Sequence, residues 1–116
     1  MKRALVTGGS GGIGAAICRR LATDGHHVIV HANRSREKAA AVVAEILAAG
    51  GSAESVAFDV TDRAATAAAL EVLLAAGAVQ ILVNNAGLRD RRPFAQLDAP
   101  ALRTMLESHL VAPFEL

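Results

Sequence analysis

The chain has 116 residues, a formal net charge of +1 and 53% apolar residues, which suits one domain and gives no sign of a nucleic-acid or membrane partner. A single cysteine, Cys18, excludes an internal disulfide and favours a reducing compartment. The apolar run after Met1 is too short for an export signal or a membrane span, so we expect a cytoplasmic protein.

Short apolar runs alternate with helical patterns along the chain. The predicted strands are, in order, residues 4–7, 28–30, 55–58 and 81–83. Helices are predicted to follow them, starting near Ile13, at Ser35 as an N-cap, at Thr61-Asp62 and at Asp98. The first three helices are expected to stop at Asp24-Gly25, Gly50-Gly51 and Gly77. Their apolar faces are expected to contain Ile13, Ile17 and Leu21, then Ala39, Val42, Val43, Ile46 and Leu47, then Leu70, Leu73 and Leu74.

This alternation predicts the fold class. Strands that are uniformly apolar suit a sheet covered on both faces. Strand–helix–strand units with right-handed crossovers form an open parallel sheet. We therefore predict an α/β fold of the Rossmann type, a doubly wound parallel sheet in three α/β/α layers with strand order 3-2-1-4.

The stretch "TGGSGGIG", residues 7–14, joins the first predicted strand to the first predicted helix. Gly9 to Gly14 fits G-x-G-x-x-G in the strand-to-helix context that this pattern requires. Glycines permit a positive φ and let a pyrophosphate approach main-chain N–H groups, and the helix start adds unpaired donors and the positive end of its dipole. The alternative is a tight glycine turn that binds no ligand.

The end of the second predicted strand indicates which dinucleotide would bind. An acidic residue at this point would bind the ribose 2′-OH of NAD. The chain reads instead His31-Ala32-Asn33-Arg34-Ser35. Arg34 can hold a 2′-phosphate by a charge-assisted hydrogen bond, and Asn33 and Ser35 can add further bonds, which favours NADP (as NADPH) over NAD. The alternative is a solvated arginine at a helix entrance.

Three motifs occur together in order: Thr7-Gly8-x-x-x-Gly12-Ile13-Gly14, Asp59-Val60, and Asn84-Asn85-Ala86-Gly87. This set resembles the short-chain dehydrogenase/reductase family. Asn-Arg-Ser, Glu-Lys-Ala and Ala-Gly-Gly between residues 28 and 59 look most like its 3-oxoacyl-acyl-carrier-protein reductase branch, which acts in fatty acid biosynthesis.

The resemblance implies a set of cofactor-binding residues. Those implied to line the pyrophosphate are Gly8, Ser10, Gly12, Ile13 and Gly14. Asp59 is implied to bind the adenine amino group, with Val60 offering its backbone. Asn85, Ala86 and Gly87 are implied to border the adenosine ribose and the nicotinamide side, and Asn84 to tie neighbouring strands together. For residues 84–87 the alternative is a strand-ending turn, since asparagine and glycine tolerate left-handed conformations.

The catalytic residues of the family are a serine, a tyrosine and a lysine four residues after the tyrosine. This chain contains no tyrosine, and its lysines, Lys2 and Lys38, are far from the expected site. His109 takes the position of a family asparagine in the last predicted helix. Histidine can act as an acid or base near neutral pH, and the alternative is that His109 merely faces a pocket or the missing half of the domain. We expect no turnover from this chain alone.

The resemblance therefore implies that residues 1–116 are the N-terminal, cofactor-binding portion of a Rossmann domain that is incomplete at its C-terminal side. Three functions remain open: an NADPH-dependent reductase that transfers hydride to a 3-oxo group, a non-catalytic NADP-binding module, and a truncated inactive product. The substrate of the reductase would be a small molecule or a 3-oxoacyl group on a carrier protein. Exposed apolar surface at the strand 81–83 and the last helix predicts a homo-oligomer or a completing C-terminal half. No metal site is predicted.

Overall fold

The computed structural model describes residues 1–85. Its helices and strands alternate, and their bounds in chain order are β1 Arg3–Val6, α1 Gly12–Thr23, β2 His27–Ala32, α2 Arg36–Ala48, β3 Ser52–Ala57, α3 Arg63–Ala75 and β4 Ile81–Val83. The four strands form one parallel sheet in the order β3-β2-β1-β4. The predicted fold class and strand order are confirmed, with β4 at an edge of the described sheet.

The register of the sheet aligns the carboxyl ends of its strands. Val6 of β1 pairs with Val30 of β2 and with Val83 of β4. Ala32, at the end of β2, pairs with Ala57 of β3. The loops that follow the four strands therefore emerge at the same edge, where open α/β sheets bind ligands.

Both faces of the sheet are buried, which gives three layers. One cluster packs the sheet against α1 and α2, and its buried members are Val6, Ala15, Cys18, Val28, Val30, Ala32, Ala39, Val42 and Ile46. The opposite face contributes Leu5 and Ile29, which pack against Leu73 of α3. Successive residues of β1 and β2 thus point to opposite faces. Cys18 is a buried core residue, as predicted, and burial raises the pKa of its thiol to about 11.

The structure corrects several sequence-based expectations about the helix faces. Ile13 is 73% exposed, and Leu47 and Leu74 are each 53% exposed, although all three were expected on apolar faces. The side of α1 that lies on the sheet consists of Ala15 and Cys18, whose small size lets the helix approach closely, and Ile17 and Leu21 pack only partly against this core. Leu47 and Leu74 lie in the last turns of their helices, and their faces are turned to solvent.

The bounds of three strands also differ from the prediction, and the predicted strand 28–30 is in fact His27–Ala32. The predicted strand 55–58 is in fact Ser52–Ala57, and the predicted strand 4–7 is Arg3–Val6. The polar start of β3 is satisfied by cross-strand bonds: His27 Nδ1 and Ser52 Oγ lie 2.5 Å apart, and His27 Nε2 lies 3.1 Å from Glu54 Oε1. Polar residues can therefore occupy a strand that an apolar pattern does not reveal.

Within residues 1–85, no helix has both the length and the apolar character needed to cross a membrane. The predicted helix from Asp98, the residues Ala86 and Gly87 and the candidate catalytic residue His109 lie outside the described residues.

Candidate functional site

The glycine loop, residues Thr7 to Gly11, turns the chain from β1 into α1. Gly8 has a φ of 64°, a left-handed conformation that favours glycine. The N–H of Gly9 donates to the carbonyl of His31 at 2.8 Å, which fixes the loop to the neighbouring strand. Gly11 is the N-cap of α1, and no side chain caps this helix start. First-turn N–H groups that no side chain caps, together with the helix dipole, make an anion-binding site.

Gly14 is the point where α1 crosses the loop. A Cβ built on Gly14 would lie 2.1 Å from the carbonyl oxygen of Gly8 and 2.7 Å from Nδ2 of Asn85. By contrast, a Cβ on Gly12 would meet no described atom within 4 Å. Gly14 is therefore needed for packing, whereas Gly12 borders open space at the helix start.

Asn85 joins the end of β4 to the glycine loop. Its N–H donates to Oγ1 of Thr7 at 3.0 Å, and its side-chain Nδ2 donates to the carbonyl of Gly8 at 3.2 Å. Thr7 in turn donates its hydroxyl to the carbonyl of Val83 at 3.2 Å. The family resemblance assigned such a tie to Asn84, whose side chain is exposed. The residue that makes these contacts is Asn85.

The turn after β2 carries Asn33, Arg34 and Ser35. Asn33 and Arg34 are exposed. Ser35 is the N-cap residue of α2 as predicted, but its side chain makes no capping bond. Asn33, Arg34 and Ser35 thus follow the carboxyl end of β2, at the same sheet edge as the glycine loop.

Asp59 lies in the turn between β3 and α3. Its Oδ1 accepts hydrogen bonds from the hydroxyl of Thr61 at 2.6 Å and from the N–H of Thr61 at 2.9 Å. These bonds, and to a lesser extent the charge of Arg34, hold the pKa of Asp59 below its usual range. Val60 is only 7% exposed and packs with Phe58. The turn therefore presents an oriented carboxylate that stays ionised at neutral pH.

His31 is a central residue of the site that the sequence reading passed over. Its side chain is fully buried. Nδ1 accepts the N–H of Gly8 at 3.0 Å, and Nε2 lies 2.6 Å from the carbonyl oxygen of Phe58. Because an amide N–H can only donate and a carbonyl can only accept, the ring is neutral with its proton on Nε2. The sequence signal for this role is a histidine at the end of an apolar run. The two hydrogen-bond partners of its ring, Gly8 and Phe58, lie far away in sequence.

Burial lowers the pKa of His31 from its ordinary 6.5, although the bond to Phe58 and the charge of Asp59 oppose this shift. Between the lowered pKa and 6.5, the unfolded chain binds more protons than the folded chain, so stability rises with pH in this window. We expect the free energy of unfolding to decrease as the pH falls below about 6.5. Urea unfolding, monitored by circular dichroism at several pH values from about pH 5 to pH 8, measures this free energy.

The control for this pH dependence is His31→Asn, which keeps an acceptor for Gly8 and does not titrate. Its stability should vary less with pH over the same range. An unchanged slope in the variant would show that another group is responsible.

The described candidate residues thus come together in two parts at one sheet edge. Gly8, Gly14 and Asn85 are in direct contact, while Arg34 and Asp59 interact electrostatically beside them. Ile13 and Gly12 form the open start of α1, and Ser10 lies in the loop before them. Among the described residues, no group of three or more His, Cys, Asp or Glu side chains is arranged to hold a metal ion.

A sequence model of the short chain dehydrogenase family matches residues 2–116. The chain belongs to the short-chain dehydrogenase family. The resemblance inferred from the glycine, aspartate and asparagine motifs is thereby confirmed. The described residues of these motifs follow the carboxyl ends of β1, β3 and β4.

Several members of the short-chain dehydrogenase family resemble this chain over most of its length. A metagenomic short-chain oxidoreductase solved in complex with NADP is 42% identical with a TM-score of 0.92, covering 99% of this chain and 52% of its own. The 3-oxoacyl-(acyl-carrier-protein) reductase FabG of Staphylococcus aureus is 44% identical over 88 residues, 75% of this chain and 36% of the reductase. A 2-dehydro-3-deoxy-D-gluconate 5-dehydrogenase of Formosa agariphila is 32% identical, covering 97% of this chain and 43% of the relative. The chain thus spans about half or less of the length of these relatives.

Proposed function

We propose that this chain binds NADP(H) and is the cofactor-binding portion of a short-chain dehydrogenase. The observation that carries the proposal is the uncapped start of α1, which opens beside Gly12 at the edge of the sheet. A pyrophosphate accepts hydrogen bonds from such a helix start and is stabilised by its dipole. In this proposal the residues around the pyrophosphate are Gly8, Ser10, Gly12, Ile13 and Gly14.

The preference for NADP over NAD rests on the turn after β2. An exposed guanidinium, Arg34, stands where NAD-binding proteins place a carboxylate. Arg34 would hold the 2′-phosphate, with Asn33 and Ser35 adding hydrogen bonds. Asp59 would accept from the adenine amino group through Oδ2, since Thr61 already binds Oδ1. The NADP complex of a relative with 42% identity supports this choice.

Hydride transfer from NADPH to a 3-oxo group is the reaction we propose for the whole enzyme. The 44% identity to the FabG reductase supports a 3-oxoacyl substrate, on a carrier protein or as a small molecule. The similarity to the gluconate 5-dehydrogenase supports a sugar-acid substrate as the second candidate. Because the chain contains no tyrosine, cofactor binding rather than turnover is the function we assign to these 116 residues. Cofactor contacts of Ala86 and Gly87, and an acid or base role of His109, are proposed from the family resemblance alone.

Titration with NADPH tests the proposal directly. The wild-type chain should bind NADPH, followed by the fluorescence of its nicotinamide ring. Gly12→Ala should weaken binding by about tenfold or more, because the methyl group would occupy the space that the pyrophosphate needs. Its unfolding midpoint should stay at or above the wild-type value, since that Cβ meets no described atom within 4 Å. Absence of binding in the wild type, or equal affinity in the variant, would contradict the proposal.

We also propose that the protein is cytoplasmic and works as a homo-oligomer or with a completing C-terminal half. β4 lies at an edge of the described sheet, and Leu82 on this strand is 42% exposed. Unpaired strand edges with apolar side chains favour association. For a homo-oligomer, light scattering should show a mass above that of the monomer, and a monodisperse monomer would contradict this alternative.

A further inference from the structure

We infer that His31 is a positioning residue, whose neutral imidazole holds the glycine loop in the shape that binds the pyrophosphate. This inference rests on the proposed NADP(H) site and adds to it a residue outside the family motifs. The key contact is the hydrogen bond that Nδ1 of His31 accepts from the N–H of Gly8 at 3.0 Å.

His31 holds the loop through its side chain and its main chain. Besides the Gly8 bond, its carbonyl accepts the N–H of Gly9 at 2.8 Å. Gly8 is the residue with a φ of 64°, so the two bonds fix the chain on either side of the left-handed turn. A loop held in this way loses less conformational freedom when an anion binds, which favours affinity.

The opposite side of the imidazole is anchored to β3. Nε2 donates to the carbonyl of Phe58 at 2.6 Å, and the two rings are in contact with their centroids 4.3 Å apart. The bond to Phe58 fixes the proton on Nε2 and thereby leaves Nδ1 as an acceptor. His31 thus couples the loop that follows β1 to the turn that contains Asp59.

Protonation would remove the acceptor. With both ring nitrogens protonated, Nδ1–H would face the N–H of Gly8, and the bond would become a repulsion between two donors. Asp59, from the turn after β3, favours the charged ring, as does the bond to the carbonyl of Phe58, whereas burial opposes it. On the α1 side, the Cys18 thiol beside Gly9 is neutral, since burial raises its pKa to about 11. We therefore expect NADPH affinity to decrease once the pH falls below the pKa of His31, which burial holds below its ordinary 6.5.

Two substitutions separate positioning from general support of the fold. In His31→Asn the side-chain oxygen takes the place of Nδ1 and still accepts from Gly8. In His31→Gln the amide nitrogen takes the place of Nε2 and still donates to Phe58, but Gly8 loses its acceptor. We expect His31→Asn to bind NADPH within about threefold of the wild type, with a smaller decrease at low pH, and His31→Gln to bind about tenfold more weakly or worse.

The measurements are NADPH titrations of the three full chains at several pH values, with hydrogen exchange of the Gly8 amide by NMR as a readout that needs no nucleotide. This amide should be protected in the wild type and His31→Asn, and should exchange faster in His31→Gln. If the wild type binds no dinucleotide, the proposed function falls, and the exchange data still decide whether His31 holds the loop.

Equal affinity in His31→Gln and the wild type, or equal loss in both variants, would overturn the inference. If either variant fails to fold, the nitrogen-15 spectrum of the wild-type imidazole decides instead. A neutral ring with its proton on Nε2 supports the inference, and a proton on Nδ1 at neutral pH overturns it.

Discussion

Gly14→Ala should lower the free energy of unfolding by about 3 kcal/mol or more. The added Cβ would lie 2.1 Å from the carbonyl oxygen of Gly8 and 2.9 Å from the carbonyl carbon. Neither atom can move freely, since Asn85 donates to this carbonyl and Gly8 is held in a left-handed turn. The clash must therefore displace α1 from the loop. Urea unfolding monitored by circular dichroism measures the loss, and NADPH binding should be lost with it.

Gly12→Ala is the matched control for this effect. Gly12 lies in the same helix two residues earlier, and its Cβ would meet no described atom within 4 Å. Alanine is a better helix former than glycine by about 1 kcal/mol in a helix interior, so the fold should be unchanged or slightly more stable. Equal destabilisation by the two substitutions would show that the contact between α1 and Gly8 does not govern stability.

Arg34→Ala should reduce the affinity for NADPH by about tenfold to a hundredfold, while the affinity for NADH changes little. A hydrogen bond to a charged group contributes about 1.5 to 3 kcal/mol, and only NADPH carries the 2′-phosphate that Arg34 would bind. Parallel titrations with the two nucleotides, at one salt concentration, measure the preference.

Arg20→Ala removes the same charge elsewhere and serves as the control. The Arg20 side chain is 79% exposed at the C-terminal end of α1, where it pairs with Asp24 at 3.3 Å. Arg20→Ala should leave the affinities for NADPH and NADH unchanged. If Arg34→Ala weakened NADH and NADPH equally, Arg34 would act on the pyrophosphate or through overall charge, and the assignment to the 2′-phosphate would be wrong.

Much of the fold could be predicted because its signals are local. Apolar runs of strand length separated by helical patterns gave β1 to β4, and glycines with positive φ end the helices, as Gly25, Gly50 and Gly77 show. The roles of Gly8 and Gly14 also follow from a local pattern. One needs a left-handed φ and the other allows a close backbone contact.

The features that were missed depend on residues distant in sequence. The imidazole of His31 binds Gly8, 23 residues before it, and Phe58, 27 residues after it. The periodicity of apolar residues in the sequence does not predict such a hydrogen bond. The predicted helix faces are wrong for a related reason. The size of Ile13 favours it on the buried face of α1, but the small residues Ala15 and Cys18 lie there, where the helix approaches the sheet most closely.

The bonds of Asn85 have a consequence for how the protein is made. Asn85 contacts Thr7 and Gly8 across 78 and 77 residues of chain. During translation the glycine loop is made among the first residues. Asn85 can bind it only after nearly the whole described segment has been synthesised. We therefore expect a nascent chain that lacks β4 to be unable to retain a dinucleotide, even though its phosphate-facing glycines are already present.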